Sequence, residues 1–289
     1  MPNSTATPRP NSPARNSPAS QDTRWTDLPL LHPSSVGDLL GCSLKYETLR
    51  VKKQWPKNRP GPPASVPRGS AWHETLRALH AARWTDQGGN CHLPLSDLEG
   101  YAETAVHAAR YDRSVDRELE VQRVMGMARL FCDNQDPEDV DAIIALETQV
   151  EFDYSYKSQK LIRIASTIDR VLVRPATPSL LVLQDFKSTR QSVQLAECFI
   201  LIWCAARKWP GYEYVLELVW ADAEEGTVTV DVITADMVRP QHKILTTALL
   251  KRLTTPPEAQ SGPACCWCPL REGCQGLPVV DMREDEEPF

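Results

Sequence analysis

The chain has 289 residues, of which 42% are hydrophobic and 24% charged, and it carries a net charge of −6. This is the composition of an ordinary globular protein with one large domain or two small ones. The negative charge argues against a generally basic nucleic-acid binder. Residues 281–289 hold five acids and one base, and thus −4 of that charge, so any contact with nucleic acid needs a local basic patch.

Membrane and secretion signals are not expected. The opening residues are polar, and the longest apolar run, Cys198 to Ala206, is too short to span a bilayer. We therefore expect no membrane partner and a cytoplasmic location. Nine cysteines in a reducing compartment are expected to be buried thiols or metal ligands rather than disulfides.

The first part of the chain combines a polar tail with a short helix and a basic loop. Residues 1–24 are mostly Pro, Ser, Asn, Thr, Ala and Arg, which predicts a disordered tail. A serine of the Ser34-Ser35 pair is expected to cap a helix that ends near Cys42. The loop at 52–68 is basic, rich in proline and contains Trp55. Such a loop either follows a phosphate backbone and stacks a base, or merely connects two helices.

A helical part is predicted over about 70–145. A helix capped by Ser70 extends to Trp84, and it places His73 and His80 on one apolar stripe. A histidine in that position is either a hydrogen-bonded core residue or a metal ligand. Further helices are predicted over 97–133 and 137–145, with Ser96 and Asp136 as their N-caps.

A first strand at 146–155 precedes the chemically most informative stretch, 161–187. Two apolar, β-branched runs flank a proline-rich turn, which predicts a hairpin. The first run carries Asp169, and the second ends in Asp185-Phe186-Lys187. Because side chains alternate along a strand, Asp185 and Lys187 share a face that Phe186 does not.

Carboxylates in runs suited to burial are costly unless a charge compensates them, and hard oxygen ligands suit Mg²⁺ or Mn²⁺. The alternative is that Asp185 and Lys187 face solvent at a strand end and that Asp169 and Arg170 form a surface ion pair. Glu147 on the first strand is either a supporting acid or part of ordinary polar alternation.

The rest of the chain predicts a helix over 191–208, strands over 212–221 and 227–233, and a helix over 235–253. Gln194 lies on the first turn of the 191–208 helix. Strands, a helix and strands again indicate an α/β fold with a mixed sheet over about 146–255.

Three cysteines near the end of the chain, Cys265, Cys268 and Cys274, have the close spacing of metal ligands. Three thiolates leave one position open, and Cys42 would close it. Four thiolates suit either a [4Fe–4S] cluster or tetrahedral zinc.

These pieces resemble a known family. The stretches are Gly69-Ser-Ala-Trp-His73, Ile168-Asp169-Arg170, Asp185-Phe186-Lys187 and Gln194-Leu-Ala-Glu-Cys198, framed by one cysteine upstream and three downstream. Over residues 34 to 275 the chain resembles the PD-(D/E)XK nuclease superfamily. In particular it resembles the RecB-like exonucleases with an iron–sulfur cluster, such as the AddB nuclease domain and the CRISPR-associated enzymes. It departs from them at Cys198, where the family has tyrosine, and at Ser166, where glycine is usual.

The resemblance implies a restriction-endonuclease-like domain over residues 25–280, a mixed sheet flanked by helices. It also implies a cluster segment at 263–275 that joins Cys42. The predicted helices form an α-helical insertion before the sheet, and the composition of residues 281–289 predicts an acidic disordered tail. It favours iron over zinc at Cys42, Cys265, Cys268 and Cys274.

The resemblance also implies a catalytic site, with Mg²⁺ or Mn²⁺ held by His73, Asp169 and Asp185. Lys187 would lie beside the attacking water, and Gln194 would contact the substrate or the water network.

The expected function is that of a metal-dependent DNA nuclease, an exonuclease acting on single strands or ends in repair, recombination, phage or CRISPR-type processing. The chain has no nucleotide-binding P-loop motif, so a helicase or integrase partner is expected. The alternatives are a non-catalytic DNA-binding adaptor subunit, and a zinc or iron–sulfur scaffold whose acids are incidental.

Overall fold

The computed structural model describes residues 28–56, 65–85, 95–134, 139, 142–188, 193–261, 265, 268–271 and 274. The predicted tails at 1–24 and 281–289, the middle of the basic loop and the predicted N-cap Asp136 lie outside these residues. Within this part of the chain, no helix is both long and apolar enough to cross a membrane.

Six strands and seven α-helices make up this part of the chain, together with one π-helical turn at Glu47–Val51 that follows α2. In chain order they are β1 (Leu30–Leu31), α1 (Pro33–Gly41), α2 (Ser43–Tyr46), α3 (Ser65–Thr85), α4 (Leu95–Ala108), α5 (Arg117–Asp133), β2 (Ile143–Tyr156), β3 (Gln159–Leu172), β4 (Leu180–Lys187), α6 (Leu195–Lys208), β5 (Glu213–Asp222), β6 (Thr227–Thr234) and α7 (Ala235–Thr254).

The six strands form one mixed sheet in which β3 is central. Antiparallel β2 pairs with β3 along nearly its whole length. The other edge of β3 is shared by parallel β1, at Arg163 and Ile164, and by antiparallel β4, at Arg170 to Leu172. The sheet continues through parallel β5 to antiparallel β6. The predicted α/β class, with a mixed sheet flanked by helices, is confirmed.

Helices cover both faces of the sheet. The first face packs α1, α6 and α7 against residues such as Leu183, while the second packs α3, α4 and α5 against Phe186. Leu183 and Phe186 lie in the predicted hairpin, which is confirmed as β3 and β4. Because neighbours on a strand face opposite sides, the burial of Phe186 under α3 directs Asp185 and Lys187 to the other side.

Two predicted helix starts are wrong. The first helix begins at Pro33 with His32 as its N-cap, and Ser35, not Ser34, completes the capping hydrogen bonds with His32. The helix that carries His73 begins at Ser65, so Ser70 lies inside it. Pro67 fits the first turn of this helix because N–H groups there have no intrahelical acceptor, so the N–H group that proline lacks is not needed.

The helical insertion is also shorter and more divided than predicted. The single helix predicted over 97–133 is two helices, and Asp116 starts the second by accepting hydrogen bonds from the N–H groups of Glu118 and Leu119. The predicted helix at 137–145 is wrong at Ile143 to Ala145, which belong to β2. Pairing with the long β3 decides the structure there, because a short apolar run is compatible with either element.

Candidate metal centre

The candidate centre lies where β3 and β4 separate. Backbone pairing between the two strands is confined to Arg170–Leu172 and Val182–Gln184. Beyond it, the N–H group of Phe186 donates a 2.8 Å hydrogen bond to Asp169 Oδ2. The carboxylate of Asp169 thus continues the connection where the backbones diverge, and this bond orients it toward the gap.

Helix α3 brings His73 to this gap because Gly69 allows a close approach. A Cβ atom on residue 69 would lie 2.9 Å from Ser188 Oγ, just after β4, which is closer than such contacts normally allow. One helical turn later, His73 Nδ1 lies 3.4 Å from Asp169 Oδ2. The spacing Gly-x-x-x-His therefore has a steric cause, since positions four apart share a helix face.

Strand β2 contributes a third donor, Glu147. Its neighbours Leu146 and Thr148 pair with Arg170 and Ile168, so Glu147 lies opposite Asp169. Its φ of 41° is in the left-handed region, a conformation that costs a non-glycine residue about 1–3 kcal/mol.

His73, Glu147 and Asp169 each place one ligand atom within 4.8 Å of the others. One imidazole nitrogen and two carboxylate oxygens form a donor set that suits a divalent cation such as Mg²⁺ or Mn²⁺.

Asp185 and Lys187 lie beside this set. Lys187 Nζ is 2.7 Å from Asp185 Oδ2, as their shared face predicts. The contact has ion-pair distance but not hydrogen-bond angles, so Asp185 Oδ2 is buried without a hydrogen-bond partner among the described residues. Burial raises the pKa of Asp185, against the opposing effect of Lys187. Asp185 is not one of the three donors within 4.8 Å.

Neighbouring acids shift the pKa values of His73 and Glu147 at the centre. Burial alone would lower the pKa of His73, but Asp169, Asp185 and Glu147 together raise it to about 9. Burial, followed by the charge of Asp169, raises the pKa of Glu147 to about 7. The neighbouring acids contribute to both shifts, and a divalent cation would neutralise their charge.

The start of α6 completes the surroundings. Gln194 is its exposed N-cap residue, and its amide oxygen lies 3.0 Å from where a Cβ on Gly37 would be. Glu197 was not predicted, yet its charge acts on both Lys187 and Asp185. The sequence left two interpretations of Glu147 open, a supporting acid or ordinary polar alternation along β2. Its carboxylate on a half-buried strand is the sole sequence signal for a role at the centre, and no local sequence pattern predicts its left-handed backbone conformation.

The predicted cysteine ligands also converge. Burial and the neighbouring thiols of Cys42, Cys268 and Cys265 raise the pKa of Cys274. The segment after α7 lies against the residues that follow Cys42. There, Ser43 Oγ and the N–H group of Leu44 both donate hydrogen bonds to the carbonyl of Glu258. All four thiols are free.

Arg170 does not form a surface ion pair, because it is 1% exposed. Its Nε donates a 2.5 Å hydrogen bond to Gln184 Oε1, and its guanidinium lies over the rings of Phe131 and Phe186. His80 packs against the same two rings, which supports its interpretation as a core residue.

A chain of polar contacts continues from Gln184 away from the centre. Gln184 Nε2 donates to Glu217 Oε2 at 2.6 Å, and Arg174 bridges Glu217 and Asp139. We call Arg170, Gln184, Glu217, Arg174 and Asp139 the paired network, since Arg174 pairs with both carboxylates and Gln184 connects Glu217 to Arg170.

The mixed sheet and the donor set define the class, an α/β protein with a candidate site for a divalent cation at a strand separation. The chain belongs to the PD-(D/E)XK nuclease superfamily, whose family model matches residues 31–275. Membership indicates a metal-dependent nuclease that hydrolyses phosphodiester bonds of DNA. The superfamily part of the resemblance is thereby confirmed.

Other comparisons add little. No curated protein matches the chain significantly. A solved structure titled "Crystal structure of SSO0001" is similar with a TM-score of 0.41 and 10% sequence identity, over 88% of this chain and 89% of that one. A similarity of this size supports no inference about function.

Proposed function

We propose that this protein is a metal-dependent DNA exonuclease that acts on single strands or on duplex ends. The observation that carries the proposal is the meeting of His73, Glu147 and Asp169 within 4.8 Å, beside the Asp185–Lys187 pair, in a chain of the PD-(D/E)XK superfamily. Structural ion pairs are normally balanced, whereas three acids here surround one lysine and one histidine.

The residues fit a divalent cation. His73, Glu147 and Asp169 would hold it. Asp185 would be a further donor, because its buried Oδ2 lacks a hydrogen-bond partner among the described residues. When bound, Mg²⁺ or Mn²⁺ supplies activation of a water molecule and neutralisation of charge on the scissile phosphate.

Lys187 has a different task from the acids. Burial alone would lower the pKa of Lys187, but Asp185 and Glu197 raise it above its usual value, so the ammonium group stays charged at neutral pH. Held 2.7 Å from Asp185, it can orient the attacking water or stabilise the charge that develops on the phosphate. Gln194, exposed at the start of α6, would contact the substrate or the water network.

We further propose a [4Fe–4S] cluster on Cys42, Cys265, Cys268 and Cys274. The four thiols lie near enough to one another for Cys42, Cys268 and Cys265 to raise the pKa of Cys274. Four thiolates suit a [4Fe–4S] cluster or zinc, and the resemblance to cluster-containing nucleases favours iron. Such a cluster would join two distant segments of the chain and stabilise the fold by reducing the entropy of the unfolded state.

Single strands or ends are the proposed substrate because the chain carries no P-loop with which to open a duplex. A helicase or an integrase complex is the partner that would supply such a strand, in repair, recombination, phage or CRISPR-type processing. A cytoplasmic location belongs to the same proposal, because free cysteines persist in a reducing compartment.

A nuclease assay tests the proposal. Labelled single-stranded, blunt and circular DNA are incubated with Mg²⁺, Mn²⁺ or EDTA, beside an ultraviolet–visible spectrum of anaerobically purified protein. We expect cleavage of the linear DNA with either metal, none with EDTA, and iron–sulfur absorbance. Cleavage of the circle would contradict exonuclease action. DNA binding without any cleavage would instead indicate an adaptor subunit.

A further inference from the structure

A groove of about 420 Å³ opens beside Lys187, whose ammonium group pairs with Asp185. Its walls are the start of α3, the middle of α5 and the β5–β6 hairpin. The charged lining residues are Arg68, Arg123, Lys187, Asp222, Glu224 and Glu225. Asp222 accepts hydrogen bonds from the N–H groups of Glu224 and Glu225 within the hairpin turn.

A buried acid holds the two arginines of this groove side by side. Glu120 is 2% exposed, and it accepts two hydrogen bonds of 2.7 Å from Arg68. Arg123 NH1 reaches the same carboxylate at 2.9 Å. Two guanidinium groups thus share one carboxylate, which leaves one positive charge uncompensated within this trio.

Glu224 on the hairpin supplies the missing negative charge. Its carboxylate lies 2.6 Å from Arg123 NH2 across the groove, and its side chain is 68% exposed. The two acids therefore differ in kind, since Glu120 is buried and held by two arginines, whereas Glu224 is held by one arginine and faces water. An exposed ion pair contributes about 0–1 kcal/mol, so a competing anion can replace Glu224 at little cost.

We propose that this groove binds the phosphate backbone of one DNA strand next to the cleavage site, and that Glu224 occupies the phosphate position on Arg123 until the strand displaces it. The inference rests on the nuclease function proposed above and adds to it a binding site and a substrate class. Guanidinium groups bind phosphate through paired hydrogen bonds, the same geometry in which they bind carboxylate.

The groove contacts one strand. Lys187 and Ser188 line it, and Lys187 is paired with Asp185 beside the metal donors, so the groove and the centre share a residue. A volume of about 420 Å³ is the size of a site for one small ligand, and it accommodates the phosphate and sugar of one strand.

Binding of a short fluorescein-labelled oligothymidylate, measured by fluorescence anisotropy in EDTA, tests the inference on the full-length protein. Glu224→Gln removes the competing charge, and we expect it to bind the strand about fivefold more tightly. Arg123→Gln is expected to bind about tenfold more weakly and to lower the salt dependence by about one phosphate contact.

Two matched controls stand outside the groove. Arg129 lies on α5 with Arg123, and Glu103 lies on the exposed surface of α4. The variants Arg129→Gln and Glu103→Gln should therefore bind the oligothymidylate as the wild type does. Melting temperatures identify any variant that fails to fold. Glu224→Gln keeps the inference testable even if Arg123→Gln unfolds, because loss of a structural ion pair would not tighten DNA binding.

Cleavage with Mg²⁺ separates this inference from the proposed function. Groove variants should change KM and leave kcat within about twofold, since the groove binds substrate and transition state equally. If the wild type cleaves DNA but Glu224→Gln and Arg123→Gln bind like the wild type, the groove inference is wrong and the nuclease proposal stands. If binding follows the expected pattern without any cleavage, the groove is supported and the nuclease proposal fails.

Discussion

Two charged regions lie one residue apart on the same strands and differ in balance. The paired network begins at Arg170 and Gln184, whereas the metal centre begins at their neighbours Asp169 and Asp185. In the network, Arg174 contacts two carboxylates, and Gln184 connects Glu217 to Arg170. At the centre, three acids meet one lysine and a histidine whose pKa they raise to about 9.

The difference indicates which buried charges hold the fold together and which serve a ligand. Buried charges that hydrogen-bond one another can be stable without further help, because each loses water but gains a partner. Asp169, Asp185 and Glu147 lack enough cationic partners, and one of them has a strained backbone. Such a local excess of charge persists in a fold when a bound cation or substrate completes it.

The largest expected effect comes from a donor at the centre. Asp169→Asn should reduce cleavage by about a thousandfold, because the cation that neutralises the scissile phosphate loses a ligand. Mg²⁺ should raise the melting temperature of the wild type but not that of the variant. Asp153→Asn, on the same strand pair but in surface ion pairs, should cleave normally. If Asp169→Asn cleaved DNA at the wild-type rate, Asp169 would not be a metal ligand of the catalytic site.

The paired network should instead affect stability. Arg170→Met keeps the volume of the side chain but leaves Gln184 Oε1 without its buried donor, and we expect a loss of about 3 kcal/mol in the free energy of unfolding. Arg163→Met removes a partly exposed arginine from the same strand and should cost less than about 1 kcal/mol. Urea denaturation of both variants measures the contrast, and equal losses would contradict it.

Neutralising one acid in each region should have opposite effects. Glu217→Gln is expected to destabilise the protein by about 2 kcal/mol, because Arg174 and Gln184 lose a charged acceptor. Burial raises the pKa of Asp185, so its ionised form costs stability at any pH above the pKa of an unfolded carboxyl.

Asp185→Asn should therefore stabilise the metal-free protein at neutral pH by about 1 kcal/mol while lowering the rate of cleavage. Thermal unfolding in EDTA compares the two variants. Destabilisation by Asp185→Asn would mean that its pair with Lys187 is structural.

The smallest expected effect concerns Glu147. Glu147→Gln keeps a donor oxygen without its charge, and the Mg²⁺ concentration for half-maximal cleavage should rise about tenfold. Glu151→Gln, four residues along β2 and exposed, is the matched control. An unchanged Mg²⁺ requirement in Glu147→Gln would show that Glu147 is not a ligand.

The local parts of the fold and site were predictable from the sequence. Two apolar, β-branched runs around a turn identified the hairpin, strand alternation gave the common face of Asp185 and Lys187, and helical spacing placed His73 on an apolar stripe. These features depend on residues within a few positions of each other, and local backbone geometry decides them.

Contacts between distant segments decided the features that the sequence did not predict. Pairing with β3 made Ile143–Ala145 a strand and placed Glu147 opposite Asp169, and packing under α3 and α5 buried Arg170. The groove likewise exists because Arg123 and Glu224, about a hundred residues apart, meet across it. No short stretch of sequence encodes such a meeting, because its free energy depends on both segments being folded at once.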